Sequence, residues 1–341
     1  MTQITCGFIG LGLIGGSIAR ALKEKHADNV QILAYDTNTA TLSLAKELGV
    51  ADRITTEINA DFSDCDFLFL CAPVENNIEN LLQLKQFLSP ACILTDVGSV
   101  KSGIHKQITA CGLSGQFIGG HPMAGSERTG FANSKARLLE NAYYILTPSE
   151  DVPKDLILRY QELVTSIGAI PLVLDAATHD YVTAAVSHLP HVIAASLVNL
   201  VKNSDSKEGT MKMIAAGGFK DITRIASSSP EMWQQICTTN AENISELLTN
   251  YISDLLVIKE ALDDKDSLTL KEFFETARSY RDSFIDAGSG PIKKVYDLYV
   301  DIADEPGALA AIATLLALNG ISIKNIGITH NRESPRGCPA H

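Results

Sequence analysis

The sequence is short of positive charge. Of its 341 residues, 28 are Lys or Arg and 40 are Asp or Glu, so the formal net charge is −12. A protein that binds the backbone of DNA or RNA neutralises phosphates with a basic face, which this composition does not supply. We therefore expect no nucleic acid partner, and any anionic ligand needs a local cluster of cations.

Patterned cysteines and long apolar runs are also missing. The seven cysteines are irregularly spaced and form no C-x-x-C pair, so neither a disulfide framework nor a metal site is predicted. No uninterrupted apolar run approaches the roughly 18 residues that cross a bilayer. The N-terminus enters a strand-like segment without a basic leader. These absences indicate a cytoplasmic protein with no membrane partner.

The first half of the chain alternates short apolar segments with amphipathic ones. The predicted strands are 6–9, 31–35, 67–71, 92–95, 116–118, 142–147 and 171–174, and the predicted crossover helices include 17–25 and 39–48. Strands that are apolar on both faces and separated by helices are typical of a parallel sheet covered on both sides. The predicted fold class is therefore α/β, with residues 1–175 as the first domain.

The pattern changes after Asp175. Long segments with helical spacing and almost no strand signal follow, at 177–202, 207–225, 230–262 and 268–286. We interpret residues 176–288 as an all-helical domain. It carries more apolar positions than one small bundle can cover, which predicts a homodimer formed through this domain. The segment Gly288-Ser289-Gly290-Pro291 then interrupts the helical pattern and marks a second boundary.

A glycine motif follows the first predicted strand. It reads Gly10-Leu11-Gly12-Leu13-Ile14-Gly15, a G-x-G-x-x-G between a strand and a helix. In a Rossmann domain the first glycine permits a tight turn, the second lets a pyrophosphate approach the backbone, and the third allows close helix packing. The N-terminus of the helix stabilises the anion. We therefore predict a dinucleotide-binding site at these six residues.

The second predicted strand ends at Asp36. A carboxylate in this position can accept hydrogen bonds from the ribose hydroxyls of adenosine, and it repels a 2′-phosphate. The following Thr37-Asn38-Thr39 offers no arginine to bind such a phosphate. NAD is therefore the expected cofactor rather than NADP.

A glycine-flanked histidine, His121, follows the predicted strand 116–118. A loop there would present the imidazole at the C-terminal edge of the sheet, where open α/β sheets place their chemistry. Histidine is also the side chain whose ordinary pKa suits proton removal near neutral pH. His121 is therefore the candidate general base.

Further motifs surround this histidine in a fixed order. They are Thr95-Asp96-Val97-Gly98-Ser99-Val100-Lys101, Gly119-Gly120-His121-Pro122-Met123-Ala124-Gly125-Ser126-Glu127, His179-Asp180, Ser187-His188-Leu189-Pro190-His191, Gly218-Phe219-Lys220-Asp221-Ile222-Thr223-Arg224 and Trp233. The ordered set closely resembles the NAD-dependent prephenate dehydrogenases of tyrosine biosynthesis. The resemblance covers residues 4 to about 286 and continues into a segment similar to part of an ACT regulatory domain.

The resemblance implies an oxidative decarboxylation in which prephenate and NAD give 4-hydroxyphenylpyruvate, carbon dioxide and NADH. By the same resemblance, His121 accepts the proton of the ring 4-hydroxyl while hydride leaves for the nicotinamide. Ser99 is implied to orient His121 and the nicotinamide. Arg224 matches an arginine that binds the ring carboxylate, and His188 and His191 match a pair near the pyruvyl side chain.

The resemblance also gives the wider set of site residues. For the substrate the set is Arg224, His188, His191, Lys220, Ser126, Glu127 and Trp233, with His179 in the same neighbourhood. For the cofactor, Pro73 and Ser99 join the glycine motif and Asp36. Lys220 and Arg224, four residues apart, are expected to share one helix face. The equivalent of Trp233 is implied to lie at the active site of the partner subunit.

Other functions stay open on the sequence. An arogenate or dual-specificity cyclohexadienyl dehydrogenase performs the same ring chemistry on a substrate with an amino acid side chain. Positive charge on His188 and His191 favours the pyruvyl carboxylate, whereas Glu127 could bind an ammonium group. A non-catalytic sensor of NAD and amino acids would need neither His121 nor Ser99. A 3-hydroxyacid dehydrogenase would use a lysine, for which Lys220 is available.

The C-terminal residues are predicted to form a partial ACT-like segment over 293–332. Its expected elements are a strand at 295–302, a helix that reaches Asn319 and ends at Gly320, and a strand at 321–329. This β-α-β unit corresponds to half of a domain that has four strands and two helices. Residues 333–341 contain two prolines and no apolar periodicity, which predicts a disordered tail. We therefore expect weak regulation by tyrosine at most.

Overall fold

A computed structural model describes residues 3–126, 128–284, 300, 302 and 305–321 of the chain. Contacts divide the chain into two units, Met1–Ile292 and Lys293–His341. The first unit consists of an α/β part followed by a helical part, which is the fold class that the sequence predicts.

Five parallel strands form the sheet of the α/β part. They are β1 (Ile4–Ile9), β2 (Val30–Tyr35), β3 (Arg53–Thr55), β4 (Phe67–Leu70) and β5 (Ile93–Asp96). Their order is β3-β2-β1-β4-β5, which reverses between β1 and β4, and open α/β sheets bind dinucleotides at such a switch point. The short β3 has no clear signal in the sequence, because three residues are too few to show a strand period.

Helices cover both faces of this sheet. Successive residues of β1 enter separate cores, Phe8 with Ile18 and Ile9 with Ile104. The covering helices are α1 (Leu13–His26), α2 (Thr39–Glu47), α3 (Val74–Leu84), α4 (Ser102–Ala110) and α5 (Lys154–Ser166). Burial on both faces explains why the strands read as continuous apolar runs.

A second, mixed sheet continues from the first. Its strands are β6 (Ile118–Pro122), β7 (Tyr143–Pro148) and β8 (Ile170–Val173). A single bridge between Leu94 and Phe117 joins it to the β5 edge. Strands β6 and β7 are antiparallel and β7 and β8 are parallel, so the prediction of a parallel sheet is right for the first five strands only.

The position of His121 also differs from the prediction, because His121 lies within β6 and not in a loop after a strand. The pair Gly119-Gly120 hides this strand in the sequence, since glycine is depleted in strands. Both glycines are needed there because their neighbours approach the backbone closely. A Cβ on Gly119 would lie 2.4 Å from Oγ1 of Thr147, and one on Gly120 would lie 2.6 Å from the Asp96 carbonyl oxygen.

The helical part begins directly after β8. Its elements are α6 (Ala176–Thr183), a π-helical turn (Ala184–His188), α7 (Leu189–Ser204), α8 (Thr210–Ile214), α9 (Gly217–Thr223), α10 (Pro230–Thr239), α11 (Ala241–Asp263) and α12 (Ser267–Asp282). The segment 207–225, which has helical spacing in the sequence, forms two short helices, α8 and α9. Gly209 has a φ of 70°, and Ala215 and Ala216 leave the helical region, so the segment is split.

The elements from α6 to α7 form one continuous helix, Ala176–Ser204, of 29 residues. Its mean hydropathy of 1.5 over 18 residues meets the length and composition expected of a membrane span. Polar residues interrupt its apolar runs, so the sequence contains no uninterrupted apolar run of that length. Apolar side chains along it, including Val186 and Leu200, are more than 60% exposed.

In the second unit the structure describes one helix, α13 (Ala308–Leu318). It is preceded by Gly307 and followed by Gly320, both with positive φ, which confirms the predicted helix and its end. The boundary at 288–291, most of the two predicted ACT-like strands and the predicted tail at 333–341 lie outside the described residues. They stay predictions.

The glycine motif yields a matched pair of variants. Gly15→Ala should lower stability by about 1–3 kcal/mol, because the new Cβ would lie 2.8 Å from the Gly10 carbonyl oxygen and 2.9 Å from Cβ of Cys71. Gly12→Ala, which adds a methyl group in open space, should leave the melting temperature unchanged and weaken NAD binding about 10-fold. Thermal unfolding and NAD titration measure the two effects, with Gly103→Ala in α4 as control. Equal melting temperatures for all three variants would contradict the packing role of Gly15.

Candidate active site

The glycine motif has the backbone geometry that a pyrophosphate site requires. Gly10 has a φ of 95°, and a Cβ there would lie 2.8 Å from the backbone nitrogen of Ala72. A Cβ on Gly12 would meet no atom within 4 Å, so a ligand can approach the backbone at this position. Helix α1 starts at the next residue without a side-chain cap and without an acidic residue in its first turn. An anion therefore meets an open helix N-terminus at this point.

Asp36 lies beside this turn. One of its carboxylate oxygens accepts a hydrogen bond from the Leu11 backbone nitrogen at 2.8 Å, and the other accepts one from the Asn38 nitrogen at 2.8 Å. The carboxylate is thus held next to the pyrophosphate turn, at the end of β2, where a ribose diol would reach it. These residues fit NAD. Leu13 and Ile14, the other predicted cofactor residues of the motif, are the first two residues of α1.

The two remaining cofactor residues predicted from the resemblance follow the next strands of the sheet. Pro73 precedes α3 after β4, and Ser99 lies half-buried in the loop after β5. Both are therefore at the C-terminal edge of the sheet. Among the residues that the structure describes, however, Ser99 forms no hydrogen bond with His121.

The orienting partner of His121 is instead His179. Nδ1 of the buried His121 lies 2.9 Å from Nε2 of His179, and Nδ1 of His179 lies 2.8 Å from Oδ1 of Asp180. His179 and Asp180 are themselves almost completely buried. Three side chains from β6 and α6 therefore form one hydrogen-bonded relay, which we call the His121–His179–Asp180 relay.

Asp180 determines the direction of this relay. Its carboxylate accepts hydrogen bonds from the backbone nitrogens of Lys101 at 2.7 Å and Ser102 at 2.8 Å. Burial alone would raise its pKa, but the hydrogen bonds from His179, Ser102 and Lys101 lower that pKa to about 2. The carboxylate is therefore ionised at neutral pH and accepts the Nδ1 proton of His179. Nε2 of His179 then accepts from Nδ1 of His121, which leaves Nε2 of His121 without a proton.

The electrostatics around His121 favour the same neutral form. Burial lowers its pKa well below the usual value, and the positive charge of Lys101 lowers it further. His179 and His188 act in the same direction, and Asp180 opposes them. A neutral imidazole with a free Nε2 is the state that a general base needs before the reaction begins.

Lys101 is a buried cation behind this site. Its ammonium group lies 2.5 Å from Oδ2 of Asp96 and donates a hydrogen bond to the Gly120 carbonyl oxygen at 2.7 Å. Oδ1 of Asp96 accepts from the Gly120 nitrogen at 3.2 Å. The pair thus connects the end of β5 to the residue before His121. The sequence interpretation missed this role, although a lysine five residues after a strand-end aspartate was a visible signal.

The substrate histidines form an aromatic group with Trp233. His191 stacks on the Trp233 ring at a centroid distance of 3.6 Å, and the His188 ring stands edge-on to it at 6.0 Å. Trp233 thus contacts histidines of its own protomer. Its placement at a partner's active site stays a prediction.

Both histidines differ from the cationic state assumed in the sequence analysis. Burial lowers the pKa of His188 to about 4, and burial also lowers the pKa of His191, which lies near Arg224 and the Ile225 backbone. At neutral pH they are therefore uncharged. The preference for prephenate over arogenate that was expected from positive charge on these histidines is therefore wrong.

The other predicted substrate residues are more exposed. Lys220 lies on α9, whereas Arg224 begins the separate 3₁₀ turn Arg224–Ser227, so the two do not share one regular helix face. Ser126 is exposed and its hydroxyl accepts a hydrogen bond from the Arg128 nitrogen at 3.2 Å. Glu127 lies outside the described residues.

The site histidines contact one another, Asp180 and Trp233. Hydrogen bonds and ring contacts account for their positions. Within residues 3–126, 128–284 and 305–321, no three or more His, Cys, Asp or Glu side chains are grouped to hold a metal ion.

The buried neutral histidines predict acid sensitivity. The pKa of His188 is about 4 in the folded chain against an ordinary 6.5, so the unfolded chain binds more protons between these values. The free energy of unfolding should therefore fall as pH falls from about 6.5 towards 4. His188→Gln should reduce this slope. Urea unfolding at several pH values measures it, and equal slopes in the variant and in the wild type would refute the explanation.

Comparison with known proteins relates this geometry to one family. The family model of the nucleotide-binding domain of prephenate dehydrogenase matches residues 18–172, and that of the dimerization domain matches residues 175–276. Prephenate dehydrogenase of Bacillus subtilis (strain 168) is 38% identical over 330 residues, which cover 96% of this chain and 89% of that protein. Cyclohexadienyl dehydrogenase of Zymomonas mobilis is 33% identical over 274 residues, 80% of this chain and 93% of that protein.

A solved structure shares the architecture over most of the chain. Prephenate dehydrogenase from A. aeolicus, in complex with hydroxyphenyl propionate and NAD+, has a TM-score of 0.78 and 32% identity, covering 83% of this chain and 99% of that one. Two family models with adjoining ranges, a relative aligned over nearly the full length and this shared architecture agree. The chain belongs to the prephenate dehydrogenase family.

Proposed function

We propose that this chain catalyses the NAD-dependent oxidative decarboxylation of prephenate to 4-hydroxyphenylpyruvate, the activity named for its family. The observation that carries the proposal is the His121–His179–Asp180 relay, which leaves Nε2 of His121 free to accept a proton. The residue before His121, Gly120, donates a hydrogen bond to Asp96 at the C-terminal end of β5, in the sheet whose first turn fits a dinucleotide.

The binding of NAD rests on Gly10, Gly12, Gly15 and Asp36, with Pro73 and Ser99 as further candidates. When bound, NAD supplies the acceptor for a hydride from the substrate ring. The open helix N-terminus binds the pyrophosphate, and Asp36 binds the ribose hydroxyls and repels a 2′-phosphate. These features support NAD over NADP.

His121 performs the proton transfer. Its Nε2 accepts the proton of the substrate's 4-hydroxyl as the C4 hydrogen departs with its electron pair, so that a carbonyl can form at C4. The imidazolium that results is stabilised by His179 and by the ionised Asp180. Loss of the ring carboxylate as carbon dioxide then gives an aromatic ring.

Arg224 is the proposed ligand of the ring carboxylate. It lies close enough to His191 for its charge to lower the pKa of that histidine, so the guanidinium and the histidine group belong to one neighbourhood. A guanidinium can bind a carboxylate through two parallel hydrogen bonds. Lys220, Ser126 and Glu127 remain candidates for the rim of the site.

The main alternative is a dual-specificity cyclohexadienyl dehydrogenase, which is the name of the Zymomonas mobilis relative. A sensor without catalysis is disfavoured by a relay that prepares a base. A lysine-dependent hydroxyacid dehydrogenase is disfavoured because Lys220 is exposed on α9 and the buried lysine, Lys101, is held by Asp96.

A spectrophotometric assay tests the proposal. Purified protein is mixed with prephenate or arogenate, each with NAD or NADP, and NADH formation is followed by absorbance. We expect turnover with prephenate and NAD. Equal or higher kcat/KM with arogenate would establish the alternative, and no turnover with either substrate would reject a dehydrogenase.

The relay predicts a specific effect of His179. His179→Gln should lower kcat roughly 10- to 100-fold, because His121 loses the partner that fixes its tautomer and stabilises its protonated form. The low-pH limb of the kcat/KM profile should also move. Tyr181→Phe is the matched control and should behave as wild type. Tyr181 lies two residues from His179 on the same helix, and its side chain is 43% exposed. An unchanged pH profile in His179→Gln would disprove the relay.

We also propose a cytoplasmic homodimer assembled through the helical domain. The matching family model is a dimerization domain, and this domain exposes large apolar side chains on several helices. Those on α11 and α12 include Leu255, Leu256, Val257, Leu262, Leu268 and Phe274. Apolar exposure of this extent is typical of a surface that another chain covers.

Light scattering tests the assembly. At micromolar concentration the measured mass should be twice the 36.7 kDa of one chain. A mass of one chain would contradict the homodimer. Weak regulation by tyrosine stays a prediction, because the ACT-like strands lie mostly outside the described residues.

A further inference from the structure

The long helix of the helical part, Ala176–Ser204, changes from α-helical to π-helical winding at the candidate active site. Residues Ala184–His188 form a π-helical turn between α6 and α7. π-helical turns within α-helices are rare and are frequently found at functional sites. The Asp180 carbonyl, one turn earlier, accepts a hydrogen bond from outside the helix, from Nδ2 of Asn240 at 2.8 Å. Asn240 therefore supports the helix where its regular pattern is broken.

The orientation of the Asn240 amide follows from its neighbours. A backbone carbonyl can only accept, so the atom of Asn240 that faces Asp180 must be the NH₂ group. The same nitrogen lies 3.2 Å from Nδ1 of His188, and Oδ1 of Asn240 accepts from Nδ2 of Asn243 at 2.7 Å. Asn240 is only 4% exposed, so water does not compete for these contacts.

This orientation fixes the tautomer of His188. Because Asn240 donates, Nδ1 of His188 must accept, and the ring proton of the neutral imidazole is then on Nε2. Nε2 of His188 is buried and has no hydrogen-bond partner among the described residues. The indole nitrogen of the adjacent Trp233 is buried and unpartnered in the same way. Two buried N–H groups on adjacent rings thus lack an acceptor in the part of the chain that the structure describes.

Unpartnered buried donors are costly, and a ligand oxygen would satisfy them. We propose that Asn240 is a positioning residue that fixes His188 as a neutral Nε2–H donor, and that this donor binds an oxygen of the substrate's side chain. The inference rests on the proposed function. It assigns a role to a residue that lies between α10 and α11 and has no motif of its own in the sequence.

The donor also discriminates between side chains. A keto acid presents only acceptor oxygens to an N–H group, whereas the ammonium of an amino acid presents further donors. A donor placed opposite a donor leaves both unpaired, and sites built on hydrogen bonds reject such a mismatch strongly. The fixed tautomer of His188 therefore favours the keto acid side chain without any positive charge on the histidine.

The tautomer can be measured in the unmodified enzyme. The protein is labelled with ¹⁵N-histidine, and the ring nitrogens of His188 are assigned by comparison with His188→Gln. At pH 7 we expect Nδ1 of His188 to be unprotonated and Nε2 to be protonated. The opposite tautomer, or an imidazolium, would overturn the proposal whatever the activity of the enzyme.

A pair of variants then tests the link to the substrate. Asn240→Leu cannot donate to Nδ1 of His188, so KM for prephenate should rise about 10-fold or more. The fall in kcat should be smaller, because the His121–His179–Asp180 relay is intact. The preference for prephenate over arogenate should also narrow. Asn243→Ala, which removes only the contact behind Asn240, should keep the wild-type KM and the wild-type tautomer.

The outcomes separate the two levels of inference. Wild-type enzyme that fails to oxidise prephenate refutes the proposed function. Active wild-type enzyme in which Asn240→Leu matches Asn243→Ala in KM and in substrate preference refutes the role of Asn240 alone. If Asn240→Leu does not fold, the tautomer measured in the wild-type enzyme decides.

Discussion

The arrangement of the active site depends on the contact of one carboxylate with two backbone amides. Asp180 belongs to the helical part. Its carboxylate accepts hydrogen bonds from the backbone N–H groups of Lys101 and Ser102, which lie at the start of α4 in the nucleotide-binding part. The same carboxylate orients His179, which orients His121. One ionised group therefore joins the two parts of the enzyme and also fixes which nitrogen of His121 is free. Without it His179 and His121 would have no preferred tautomer.

Burial gives this contact its effect. The cations and histidines near it are shielded from water, so each charge affects the pKa of its neighbours more strongly than it would at the surface. Burial and Lys101 keep His121 neutral, and Lys101 is itself held by Asp96 against the strand that carries His121. His121, the proposed base, is thus kept in its neutral form by burial and by the neighbouring positive charge.

Much of the fold could be predicted from the sequence, because it follows from the spacing of apolar residues and from the glycines that separate the elements. The glycine motif, Asp36, the buried parallel strands and the change to helices after Asp175 are local signals, and their positions agree with the structure. The strand of His121 was hidden by Gly119 and Gly120, whose need for space depends on Thr147 and on the Asp96 backbone, distant in sequence. No local pattern in the sequence indicates such a constraint.

The residues of the site could be predicted from the sequence better than the hydrogen bonds between them. His121 and His188 could be named from motifs, but their charge states follow from burial and from partners that only the folded chain brings together.

The helix Ala176–Ser204 carries the relay residues His179 and Asp180 on its buried side and exposed apolar side chains such as Val186 and Leu200 on another. In a homodimer, association would cover those apolar side chains and hold the same helix that fixes the base. Catalysis and assembly would then be thermodynamically linked, since any partner that binds only the folded state stabilises it by mass action. Dilution alone would loosen the relay, and specific activity would become a function of enzyme concentration.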